Sequence, residues 1–161
     1  MSSGILRLVY EYRNLLGRRD IVHMPLGDEE RHELAELEQR FLWTGEATNV
    51  ALPMALRRRF LRMNVRLTAT MKVGREFTPV SIIDIGGGGL MVEPAPRLQV
   101  GDLTVVKVQD PTIGREYHLP AQVAWRQVRP KTSRMGLAFF GIPIELRYGG
   151  GRSGLADDAA A

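Results

Sequence analysis

The chain of 161 residues carries 22 Lys and Arg against 18 Asp and Glu, and its 44% hydrophobic and 25% charged content is ordinary for a globular protein. It contains no cysteine, which excludes disulfides, zinc–thiolate sites and cysteine nucleophiles. Arg7, Glu11 and Arg13 interrupt any signal-peptide core, and no apolar run approaches the ~18 residues of a membrane helix, so a cytoplasmic protein without a membrane span is expected.

Residues 1–52 read as a helical segment with six basic and nine acidic side chains, a balance of −3. Ile5, Leu8, Val9, Tyr12, Leu15 and Leu16 recur every three or four positions and form one apolar stripe. Gly17 is placed to end this helix in a left-handed conformation. Pro25-Leu26-Gly27-Asp28 opens a second helix, with Asp28 as N-cap and Glu29, Glu30 and Glu33 complementing the dipole. Leu34, Leu37 and Phe41 form its stripe, Glu36 and Arg40 make an i,i+4 pair, and Gly45 closes it. Two readings stand: the stripes pack on each other and on the next domain, or the hairpin binds a partner protein or a second copy.

From residue 53 to the end there are sixteen basic and nine acidic side chains, a balance of +7. Nineteen of the 22 cations are arginine, and Arg57, Arg58, Arg59, Arg62 and Arg66 fall within ten positions. From Val65 the period becomes two: Val65, Leu67, Ala69 and Met71 alternate with polar residues, as in a half-buried antiparallel strand. Further strands are expected at Phe77–Ile85, Leu90–Glu93, Leu103–Gln109, Tyr117–Gln127 and Met135–Phe140, separated by glycine and proline turns. Six short strands in residues 53–148 predict a small antiparallel β-barrel or sandwich. Residues 149–161 read as a flexible tail.

Catalytic patterns are missing. His23, His32 and His118 have no metal-ligand spacing and read as surface or packing residues. Gly149 to Gly154 formally match a dinucleotide fingerprint, but only seven residues follow, too few for the required helix and strand. Gly86–Gly89 lacks the Lys and Ser/Thr of an ATPase phosphate loop, and Glu76, Asp84, Glu93 and Asp102 form no acid–base pair. The reading is therefore a binding protein rather than an enzyme, with no metal or cofactor. Arg58 and Arg62 stand four apart before the first strand, and Asp84-Ile85-Gly86-Gly87-Gly88-Gly89 ends the second. Arginine forks grip phosphates and the O6 and N7 edge of guanine, a carboxylate accepts from its N1 and N2, and glycines allow close approach. The alternative is a solvated basic linker followed by a glycine-rich turn.

These motifs resemble the PilZ domain, a bacterial receptor module for cyclic di-GMP, over about Leu56 to Tyr148. Arg58-x-x-x-Arg62, preceded by Arg57, matches its first motif, and Asp84, Gly86 and Gly89 occupy its Asp/Asn-x-Ser-x-x-Gly motif. Gln122-Val123-Ala124-Trp125 and Arg134-Met135-Gly136-Leu137-Ala138-Phe139 are similar to later family strands. The resemblance implies a six-stranded antiparallel barrel that binds cyclic di-GMP on its outside. It implies Arg57, Arg58 and Arg62 as clamps, Asp84 as guanine reader, and Gly89 as the residue that permits the turn. Trp125 is a stacking face or a core residue. One departure is that Gly86 replaces the family serine; a lost hydroxyl contact weakens binding by about 0.5–1.5 kcal/mol. The implied partner is a protein of a motility or secretion machine; a degenerate adaptor that binds no nucleotide is the alternative. Nucleic acid is not expected, because the basic stretch lacks a groove-reading helix or interleaved aromatics.

Overall fold

A computed structural model describes residues 2–41 and 62–148, with backbone only at 2, 3 and 62. Two helices come first, α1 (Ser2–Asp20) and α2 (Asp28–Phe41). Ile5, Val9, Tyr12 and Leu15 of the expected stripe are buried, and Leu6 joins them at 1% exposed. A helix covered by a second helix on one side and by strands on another buries more than one stripe. In α2 the buried residues are Leu34, Leu37 and Phe41, as the periodicity predicts.

Two helix-end expectations are corrected. Gly17 lies within α1 and is buried; a Cβ there would stand 2.6 Å from Ile142 Cγ1, so the glycine serves close packing. The helix runs on to Asp20, and the left-handed residue after it is His23, with φ of 58°. At α2 the capping residue is Gly27 rather than Asp28. Its carbonyl accepts from the Arg31 N–H at 2.9 Å, while its own N–H donates to Glu30 Oε1 at 3.1 Å, the half of a capping box that the glutamate supplies. Asp28 is the first helical residue and pairs with Arg31. Arg18 binds Glu30 and so ties the end of α1 to the start of α2. The Arg18 guanidinium and the Gly27 N–H hold the Glu30 carboxyl below its ordinary range. The expected stop at Gly45, the boundary at residues 52 and 53, and the 149–161 tail lie outside the described residues.

The strands are β1 (Arg62–Val73), β2 (Glu76–Gly86), β3 (Gly89–Glu93), β4 (Leu103–Asp110), β5 (Arg115–Val128), β6 (Ser133–Phe139) and β7 (Ile144–Arg147). The first six close as an antiparallel barrel in the order β1-β2-β3-β6-β5-β4, with β4 returning to β1. A short seventh strand, absent from the sequence expectation, adds to β5. The edge of β5 opposite β4 is divided: Arg115–His118 pairs with β7, and Ala121–Val128 pairs with β6. Met71, Ile82, Leu90, Val92, Val106 and Leu119 are at most 1% exposed in the barrel core. The helices join the same core. Tyr10 meets Tyr117 with ring centroids 5.5 Å apart, and the Arg13 side chain donates to Phe139 O at 3.4 Å above that residue's ring. The buried faces of the hairpin are thus used on each other and on the barrel.

Tyr117 is fully buried, and its hydroxyl has no hydrogen-bond partner among the described residues. Burial first, then the charges of Glu145 and Asp110, push its phenol up to about 12. A phenol held neutral by the fold contributes its full stability below the unfolded pKa of about 10 and loses it as the pH climbs to about 12. Tyr117→Phe should therefore lessen the loss of stability above pH ~10, and stabilise by up to about 1 kcal/mol at neutral pH. Urea unfolding at both pH values reads this; a large neutral-pH destabilisation would contradict an unpaired hydroxyl.

Candidate functional site

Antiparallel pairing of β1 with β2 brings Arg62, the last residue of the first motif, beside the second motif. Arg62 stands directly opposite Gly86, and Asn64 opposite Asp84. Arg62 is described by its backbone alone, and Arg57 and Arg58 lie outside the described residues. In β2 one extra residue, relative to β3, falls between Ile82 and Asp84. This bulge lets Ile82 and Ile85, three apart, both be fully buried. Asp84 between them is 6% exposed. A carboxylate so withdrawn from water requires hydrogen-bond or charge compensation.

The glycine run has packing reasons that its sequence does not reveal. None of Gly86, Gly87, Gly88 and Gly89 has positive φ. Gly89, expected to permit a turn, instead permits a close approach: a Cβ there would lie 2.0 Å from Leu137 O of β6. A Cβ on Gly87 would lie 2.9 Å from Phe41 Cβ and 3.1 Å from Tyr12 Cε2. Both helices are therefore seated on this turn. The chain leaves α2 at Phe41, over Gly87, and re-enters β1 at Arg62, opposite Gly86. Phe41 and Arg62, the described residues on either side of 42–61, thus both meet this glycine turn.

Trp125 belongs to the surface, not to the barrel core. It is 37% exposed and stands opposite Gly136, where a Cβ would come within 2.1 Å of its Nε1, so the indole lies on the glycine. Successive pairings set Asn64, Asp84, Met91, Gly136 and Trp125 in one row across β1, β2, β3, β6 and β5. Three strand spacings, about 14 Å, separate Asp84 from Trp125 along it. Beside this row, the motifs miss a charged cluster: Glu93 lies 3.7 Å from Arg66 and 3.3 Å from Arg134. Its residues are scattered over three strands, and no local spacing marks them.

Among the described residues, one cleft lies beyond Glu93. It is about 460 Å³, between Glu93-Pro94 and the β5–β6 hairpin with Arg129, Lys131 and Ser133. Among the described residues no cluster of His, Asp or Glu could hold a metal ion. His118 is bonded to Glu116 at 2.8 Å and His32 to Glu36 at 3.3 Å, so two of the three histidines pair locally.

A closed barrel of six antiparallel strands preceded by two helices is the fold of the PilZ class. The PilZ domain family model matches residues 56–148, and the chain belongs to that family. Among solved structures it is similar to the Bacillus subtilis inhibitor of motility MotI/DgrA at 24% identity and a TM-score of 0.46. That match covers 53% of this chain and 44% of the other, so the chain spans less than half the length of that relative. It is similar to the PilZ domain of Escherichia coli YcgR, solved with c-di-GMP, at 20% identity and a TM-score of 0.43, covering 52% and 78%. It is also similar to Borreliella burgdorferi PlzA, solved in complex with c-di-GMP, at 15% identity and a TM-score of 0.40, covering 71% and 43%. No curated protein sequence matches the chain.

The close approach at Gly89 makes a direct prediction. Gly89→Ala must push β6 away and should cost about 1–3 kcal/mol in urea unfolding, whereas alanine at Gly4, an open position near the start of α1, should cost nothing. Equal stability of Gly89→Ala and wild type would contradict the packing role.

Proposed function

We propose that this chain is a cytoplasmic cyclic di-GMP receptor, not an enzyme, which signals to a protein partner in motility, secretion or exopolysaccharide control. The observation that carries this reading is the β1–β2 register, which sets Arg62 opposite Gly86 and Asn64 opposite Asp84. The last residue of the first motif thus pairs with the turn that carries the second, which supports this reading. In this reading Arg57, Arg58 and Arg62 grip guanine edges and phosphates, and Asp84 accepts from guanine N1–H and N2–H. Gly86 and Gly89 line the turn, and Trp125 offers a π-face for a base at the other end of the row. Tyr12 and Phe41 on Gly87 give the ligand a route to the helices. A ligand that binds better when the turn and hairpin are rearranged shifts the population toward that form.

The reading of a nucleotide-independent adaptor is favoured by one observation: glycine stands where the family has its serine hydroxyl. Calorimetric titration of the full chain with cyclic di-GMP separates the two. Saturable heat at or below tens of micromolar ligand, lost in Arg58→Ala/Arg62→Ala, is the expected result. No heat from the wild type supports the adaptor, and equal binding by the double variant overturns the site assignment. Gly86→Ser is expected to tighten binding by up to about tenfold by supplying the missing hydroxyl. An unchanged or weaker Kd would show that the position contributes no such contact.

A further inference from the structure

The barrel closes six strands, and among the described residues the seventh has an open edge. Among the described residues β7 pairs only with β5. The Tyr148 N–H donates to Gly114 O at 2.8 Å, and these two residues continue the β5–β7 register. In an antiparallel ladder, hydrogen-bonded and non-hydrogen-bonded pairs alternate. Ile144 and Leu146 therefore turn their main-chain groups toward β5, whereas Glu145 and Arg147 turn theirs outward. An edge of this kind is a template for another strand.

The side chains choose the occupant. Glu145 and Arg147 share a face with Tyr117 and Arg115, and Ile144 and Leu146 occupy the other face, 54% and 44% exposed. Glu145 pairs with Arg115 at 3.2 Å. Arg147 stands directly opposite Arg115, an unfavourable like-charge pair, and has no carboxylate partner among the described residues.

We infer that β7 is the seam of a homodimer, in which a second copy of this chain adds its own β7 antiparallel and centred on Leu146. Only registers that oppose outward-facing residues can form main-chain hydrogen bonds across the seam. Centring on Glu145 sets carboxylate against carboxylate, and centring on Arg147 sets guanidinium against guanidinium. Centring on Leu146 sets each Glu145 against Arg147 of the other copy, and each such pair exchanges both main-chain bonds. The two Leu146 side chains then meet as a non-hydrogen-bonded pair, the arrangement in which side chains approach most closely. The strand is self-complementary, as a two-fold isologous interface requires. Four residues per chain make a small seam, so the dimer is weak, with a Kd of about 10–500 µM.

Sedimentation velocity of the full chain from about 5 µM to 1 mM tests the seam. The wild type is expected to pass from monomer to dimer over this range. Arg147→Glu and Glu145→Arg should each weaken the dimer at least about tenfold. Mixing these two variants should restore dimers, because one brings two carboxylates to the seam and the other two guanidinium groups. Arg147→Pro removes an outward N–H without touching the β5 ladder, so it should stay folded by circular dichroism and remain monomeric. A wild type that is monomeric throughout overturns the inference. So does a dimer whose Kd is unchanged by Arg147→Glu or by Arg147→Pro.

Discussion

At the end of β2, four glycines remove the side chains that would keep three parts of the molecule apart. Phe41 and Tyr12 settle on Gly87, the Leu137 carbonyl of β6 comes against Gly89, and Arg62 starts β1 opposite Gly86. The seating of the helical hairpin and the closure of β3 on β6 both depend on this absence of Cβ atoms. Tyr12 and Phe41 also meet each other, with ring centroids 5.2 Å apart, so α1, α2 and the turn form one packed unit. Tightly packed interiors transmit small displacements rather than absorb them. A ligand that presses on this turn therefore acts on the hairpin through direct contact.

Much of this architecture is legible in the sequence because it is periodic. The alternation from Val65 to Lys72 and the stripe Leu34, Leu37, Phe41 become β1 and the buried face of α2. Where tertiary contact overrides local preference, the sequence misleads. Gly17 has the form of a helix stop yet lies inside α1, because Ile142 occupies the space its side chain would need. Gly86–Gly89 has the form of a tight turn, and nothing in its own sequence marks the packing of Gly87 on Phe41 and of Gly89 on Leu137. The bulge beside Asp84 breaks no hydrophobic pattern, because isoleucine fills positions 82, 83 and 85 alike. β7 is four residues long between Pro143 and a glycine run, too short for a period to emerge. Of the candidate site, the strand pairing sets Arg62 opposite Gly86 and Asn64 opposite Asp84, a register that motif spacing alone does not fix. Trp125 needs the strand order to be placed on the same row.

Charge is divided with similar economy. The acids of the helical segment are largely engaged with its own arginines: Glu11 with Arg7, Glu30 with Arg18, Glu38 with Arg19 and Asp28 with Arg31. On the barrel, Glu93 serves both Arg66 and Arg134. Glu145 serves Arg115. The balance of +7 over residues 53–161 is a basic field of the kind that attracts anionic ligands. The overall charge of +4 conceals this division.

The central claim is that the glycine turn joins the proposed nucleotide-binding surface to the helices. Amide hydrogen exchange of the full chain, with and without saturating cyclic di-GMP, tests it most directly. The account predicts changed protection at Asp84–Gly89 together with the last turns of α2, Leu37–Phe41. Protection confined to the barrel strands, with α1 and α2 unchanged, would contradict it.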